Sequence, residues 1–185
     1  RGEQYRWLDE QLDLYNELRE STADSRTFWS FVMWHIPPYN AGSRHAGRQF
    51  AFRDIAQHFN STVDWFLGGH EHLYQRSHPL NFKPFGLERK PRYGNQLGDG
   101  TGVLIVPPMG ATPNTEVIRN RSRESGEILE MLAYPDRVGE QIEVDSVIGF
   151  SRFDLEGNSL ALRTYGMTNE EAAEFTVVDR LNYQK

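Results

Sequence analysis

Two apolar runs, each ending at histidine, constrain this chain more than any other feature of its sequence. Residues 27–34 read TFWSFVMW and lead into His35, Ile36, Pro37 and Pro38. A run that is β-branched and aromatic on both faces predicts a central strand buried on both sides, and the two prolines stop its ladder. Residues 62–67, TVDWFL, form a second such run, which ends in Gly68, Gly69, His70, Glu71 and His72. Between them, residues 46–59 set Phe50, Phe52, Ile55, Ala56 and Phe59 among polar neighbours, the spacing of an amphipathic helix. Strand, loop, helix, strand is most simply a right-handed crossover between parallel strands, so both strands end at the same sheet edge. Ligands of open α/β sheets bind at that edge. His35, His70 and His72 are therefore expected to share it.

Around this unit the chain is less regular. Tyr5, Leu8, Leu12, Tyr15 and Leu18 recur every three or four positions and predict a helix over residues 4–19. Residues 81–100, rich in Pro, Gly and charge with a basic stretch at 83–92, read as a long surface loop. Residues 101–106 predict another buried strand, stopped by Pro107 and Pro108, and residues 112–145 are polar with only a modest helical signal at 128–132. Residues 147–155 and 159–164 flank a turn at Glu156, Gly157 and Asn158, which predicts an antiparallel hairpin, with a last strand at 175–178. The expectation is one α/β domain with mixed sheets. It divides into a histidine-bearing unit (1–80), loop-rich insertions (81–145) and closing strands (146–185).

Composition narrows the chemistry. The chain has no cysteine, so thiolate zinc sites, disulfides and cysteine nucleophiles are excluded, and any metal must be held by nitrogen and oxygen. A formal net charge of -6 argues against a generic nucleic-acid or anionic-membrane surface. No window approaches about 18 uninterrupted apolar residues, and residues 1–4 have neither the apolar core nor the cleavage site of a signal peptide. Sequons occur at Asn60 and Asn120, where about one is expected by chance, so they say little about secretion.

A His-x-His pair can cap a strand end by hydrogen bonding or can bind metal, and by itself it does not choose. Neutral imidazole suits zinc, iron and other transition metals, and glycines at 68 and 69 let the backbone turn sharply and approach a ligand closely. An independent strand placing His35 on the same edge favours metal. Val32, Met33, Trp34 and His35 resemble the V-x-x-H motif of purple acid phosphatases, within the calcineurin-like metallophosphoesterases. Gly69, His70, Glu71 and His72 resemble their G-H-x-H motif, continuing into Leu73, Tyr74, Gln75 and Arg76. Residues 4–8, Pro38–Tyr39–Asn40 and the late strands at 101–110 and 148–162 are also similar to that family.

The resemblance implies a four-layer αββα sandwich around a binuclear centre that hydrolyses a phosphate ester. Its cofactors would be two divalent or trivalent transition metal ions, Fe, Zn or Mn, and it is compatible with a secreted or periplasmic setting. By resemblance His35 and His70 hold one metal and His72 the other. His45 lies where plant members place a histidine that protonates the leaving alkoxide, although a solvated loop histidine beside Arg44 is an equal reading. Tyr39 and Arg76 are candidate substrate-binding residues, with packing at the strand ends the alternative for both; His58 and His78 match nothing and read as structural. The family's D-x-G, G-D-x-x-Y and G-N-H-[DE] motifs do not occur, and Asp99 and Asp136 stand in no such context. The chain is therefore expected to be the C-terminal half of the domain, with the N-terminal half as its partner. A non-catalytic module derived from the fold and a mononuclear zinc hydrolase using His35, His70 and His72 are the alternatives.

Overall fold

A computed structural model describes residues 2–41, 50–83, 86–111, 118–119, 130–134, 141–142, 148–167 and 174–185. Helix α1 (Glu3–Glu20) buries Leu8 and Leu12. Strand β1 (Phe31–Trp34) follows, then helix α2 (Phe50–Ala56), which tightens into a 3-10 turn at Gln57–Phe59, and strand β2 (Trp65–Gly68). Next come β3 (Gln75–Ser77), a hairpin of β4 (Leu80–Lys83) and β5 (Gly86–Arg89), and β6 (Gly102–Ile105). The two-residue strands β7 (Ile118–Arg119) and β9 (Gln141–Ile142) pair with each other, and β8 (Leu132–Tyr134) lies between them in sequence. The chain closes with β10 (Ile148–Glu156), β11 (Ser159–Met167) and β12 (Thr176–Gln184).

The main sheet runs β1-β2-β6-β3-β8, and the three closing strands form a second sheet. β1, β2 and β6 are parallel, and β3 is antiparallel to β6 and β8. Alternation along the parallel strands splits the core in two. Val32, Trp34, Phe66 and Val103 face a cluster with Leu8, Leu12, Ala56 and Phe59 of the helical layer. Phe31, Trp65, Leu67 and Leu104 face Phe153, Leu160, Leu162 and Leu181 of the second sheet. Helices, main sheet and second sheet are three layers of the expected sandwich. The crossover also forms as expected, with Phe31 opposite Trp65 and Trp34 opposite Gly68.

The structure corrects three expectations. β1 is an edge strand, not a central one: among the described residues it pairs only with β2, and Met33 is 78% exposed. The predicted surface loop at 81–100 contains the β4–β5 hairpin, whose Leu80 and Phe82 are fully buried, and continues into buried Tyr93, Asn95 and Asp99. Its period-two pattern is masked because the outward partners are charged: Glu88 pairs with Lys83 at 2.9 Å and Lys90 at 3.3 Å. Hydrogen bonds from Lys83 first, then Asn81 and Lys90, lower the Glu88 pKa to about 2. Leu132, taken as the end of a helical signal, is in β8, paired with β3.

The Asn60 amide is engaged rather than presented, donating to Phe82 O and accepting from Phe82 N, both at 2.8 Å. His58 is structural as expected: Nδ1 lies 3.0 Å from Asp9 Oδ1, and the Tyr5 hydroxyl meets Nε2, which ties α1 to the turn after α2.

Where β6 crosses β2, only glycine fits. A Cβ on Gly102 would overlap the ring of fully buried Trp65. Gly102→Ala is expected to cost about 1–3 kcal/mol through overpacking, read as a lower urea midpoint at unchanged m. Parental stability would mean that the indole can turn aside freely.

Candidate metal centre

The parallel register fixes where the histidines emerge. Asp64, immediately before β2, accepts from Ser30 N at 2.8 Å and Ser30 Oγ at 3.1 Å, while Trp65 N donates to Ser30 O at 3.1 Å. These bonds lock the amino ends of β1 and β2. At the carboxyl ends Gly69 N donates to His35 O at 2.9 Å, so the loops leaving the two strands start side by side. His70 then takes a left-handed backbone, φ 66°, which is unusual for a non-glycine residue and common where a site holds its backbone in a particular form. This turn brings His70 Nδ1 to 3.3 Å from His35 Nε2, with ring centroids 5.2 Å apart at an interplanar angle of 79°.

That separation is a hydrogen-bond distance between the two rings, and it also fits a shared metal. Two imidazole nitrogens at about 2.0–2.1 Å from one ion, subtending a tetrahedral angle, lie about 3.3 Å from each other. His35 is exposed and His70 half-buried, so the pair is accessible. The fit stops at two ligands: the described residues contain no group of three histidine, cysteine or acidic side chains arranged to hold a metal ion. His72, half-buried two residues on, does not join His35 and His70 in such a group. His45 lies outside the described residues.

Tyr39 and Arg76 do not line an open site. Tyr39 is 6% exposed; its ring stacks on Phe82 at 5.6 Å, and the Arg53 guanidinium sits 4.8 Å from its centroid. Arg76 points between the sheets, with Nε 2.6 Å and Nη2 3.0 Å from the two carboxylate oxygens of Asp179 on β12. The fork is bidentate, and Arg76 Nη1 also donates to Tyr93 Oη at 3.3 Å. Burial opposes the Arg76 charge, but the Asp179 carboxylate outweighs it and raises the pKa. Burial, and then the adjacent Asp179 charge, push the Tyr74 phenol well up, so it stays protonated and donates to Asp179 Oδ2 at 2.7 Å. Tyr39 and Arg76 are thus both buried in packing and ion-pair contacts.

Sequence reasoning passed over Gln75, which is 2% exposed and accepts a hydrogen bond from Ala41 N at 3.1 Å. The only signal was an amide in a stretch, residues 73–77, that is otherwise dense in large side chains. Ser30 and Asp64 were read merely as parts of strand runs. Their exchange of bonds across 34 residues could not be inferred from spacing.

No family model matches the chain. Among curated proteins it is similar to purple acid phosphatase 22 of Arabidopsis thaliana, with 36% identity over 77 residues, 40% of this chain and 16% of that protein. It is equally similar to an uncharacterised protein of Mycobacterium tuberculosis, 36% identical over 81 residues, 43% of this chain and 14% of that protein. Among solved structures it matches purple acid phosphatase PPD1 from yellow lupin (Lupinus luteus) seeds, with TM-score 0.55, 17% identity, 99% of this chain and 28% of that one. It also matches PhoD, with TM-score 0.51, 16% identity, 100% of this chain and 33% of that one. The chain thus has a metallophosphoesterase-type fold, and the matched region is at most a third of the length of these proteins.

Proposed function

We propose that this chain is the C-terminal part of a phosphoric ester hydrolase of the purple-acid-phosphatase type, in which His35 and His70 bind one metal ion together. The reading rests on the 3.3 Å separation of His35 Nε2 and His70 Nδ1 at the ends of two register-locked parallel strands. His72 would turn to a second metal, and His45 keeps its role by resemblance as the acid that protonates the leaving alkoxide. When bound, the metals would polarise the phosphoryl oxygens and supply hydroxide at neutral pH. The residues of this chain hold and aim that chemistry: β1 and β2 set the spacing, and the left-handed turn at His70 directs its ring toward His35.

Oxygen ligands would come from the N-terminal half of the same domain. The outer edge of β1, which has no strand partner among the described residues, supports this. An apolar groove of about 800 Å³ lies between that edge and α1, is lined by Trp7, Leu12, Phe31 and Met33, and runs to His35. Unpaired N–H and C=O groups along an edge recruit an extended strand. A strand laid there parallel to β1 would end beside the histidine pair.

Metal content per chain, measured by elemental analysis, tests the reading. The chain alone should hold less than one equivalent, rising to two when the N-terminal half is co-expressed, and His70→Ala should hold that rise to one equivalent or less. One equivalent bound without a partner and lost in His70→Ala would replace it by a mononuclear site. No uptake in either form would leave a non-catalytic module.

A further inference from the structure

The geometry points to Gln75 as a positioning residue for the histidine pair, a reading that rests on His35 and His70 being ligands. The two histidine loops leave adjacent strands, and each must return to the fold. At their start they are joined by Gly69 N to His35 O at 2.9 Å. Six residues after His35 the first segment is gripped again, where Ala41 N donates to Gln75 Oε1 at 3.1 Å. Gln75 opens β3, the strand into which the second loop runs. One side chain thus ties Ala41, in the segment that follows His35, to the start of β3, where the segment that follows His70 ends.

The position is expensive for an amide. Gln75 is 2% exposed, and its Nε2 has no hydrogen-bond partner among the described residues. It borders a cavity of about 20 Å³ that Tyr39 and Ser77 also line, room for one water at most. An isosteric methionine would avoid burying that amide. What glutamine adds there is the bond to Ala41. Residues that orient ligands from behind typically change metal affinity about 10–100-fold when removed. β3 itself is fixed separately, by Gln75–Ile105 and Arg76–Leu104 pairing with β6, so loss of the side-chain bond leaves the strand in place.

The test compares Gln75→Met, which keeps volume and loses the acceptor, with Gln75→Glu, which keeps the acceptor but buries a charge. The readouts are amide exchange at Ala41 in metal-free protein, Zn2+ affinity by titration of the chain co-expressed with the N-terminal half, and urea stability. Gln75→Met is expected to speed Ala41 exchange about 10-fold or more and weaken Zn2+ about 10–100-fold, with stability near the parent. Gln75→Glu should restore slow Ala41 exchange and Zn2+ affinity although its stability falls. If affinity instead follows stability across the variants, or Gln75→Met binds Zn2+ like the parent, the positioning role is overturned. Should the parent bind no Zn2+ even with the N-terminal half co-expressed, the shared-metal reading fails, while Ala41 exchange still decides whether the Gln75–Ala41 clamp exists.

Discussion

Arg76→Met is expected to destabilise the fold by about 3–5 kcal/mol, because it leaves the buried Asp179 carboxylate without its cation. The guanidinium and carboxylate side chains are 9% and 7% exposed, and their 2.6 Å contact joins β3 of the main sheet to β12 of the second, 103 residues apart. Breaking such a pair from one side costs far more than replacing both members with apolar groups. Arg76→Met/Asp179→Leu should therefore recover much of the loss. A residual of about 1–3 kcal/mol should remain, because the Tyr74 hydroxyl loses its 2.7 Å acceptor. Urea unfolding of both single variants and the double variant gives the coupling directly. The experiment also decides between two roles for this arginine. If Arg76 gripped a phosphate ester, the single variant would stay near parental stability, and the double variant would regain nothing.

Much of the site was legible because the information is local. The run at 27–34 and the run at 62–67 each carry a strand and its terminating histidine, and the helix between them forces a parallel crossover. The edge shared by His35 and His70 follows from the two strands being parallel. The β10–β11 hairpin was equally local, its turn centred on Gly157 at φ 55°. What stayed hidden depends on tertiary partners. The apolar pattern of 27–34 reports two buried faces, but whether a strand has one neighbour or two is a property of the sheet, so β1 at the edge could not be read from its sequence. The β4–β5 hairpin looked like a loop because Lys83, Glu88, Arg89 and Lys90 dominate its composition, while the buried side depends on Leu80, Phe82 and half-buried Leu87. Arg76 was ambiguous for a similar reason: an arginine near a ligand motif serves a phosphate or a carboxylate equally well, and Asp179 is remote in sequence.

At the end of β1 and β2 opposite the histidines, Lys185→Met is expected to cost about 3–5 kcal/mol near neutral pH, with a deficit that depends on pH. Lys185 Nζ lies 2.7 Å from Asp64 Oδ1, with side chains 2% and 0% exposed, and sits 4.0 Å from the centroid of the Trp29 ring. Burial raises the Asp64 pKa; the Lys185 charge is the largest influence opposing it, followed by the bonds from Lys185 and Ser30. Removing the lysine therefore raises that pKa further. With a folded pKa above the unfolded one, the folded state holds the proton more tightly, so the contribution is fully present below the unfolded value of about 3.9 and is lost as pH rises through the folded value. The Lys185→Met deficit should accordingly be smallest in acid and grow toward neutral pH. Adding Asp64→Asn, which cannot ionise, should flatten that dependence. A deficit independent of pH would mean that Lys185 contributes only through Trp29 and packing. The four in-register pairs from Phe31–Trp65 to Trp34–Gly68 still carry the register to His35 and His70. Zn2+ affinity of the Lys185→Met variant, measured where it remains folded, should therefore match the parent. Gln75→Met should do the reverse, sparing stability and weakening metal, because its bond acts at the end of the strands where the histidines are.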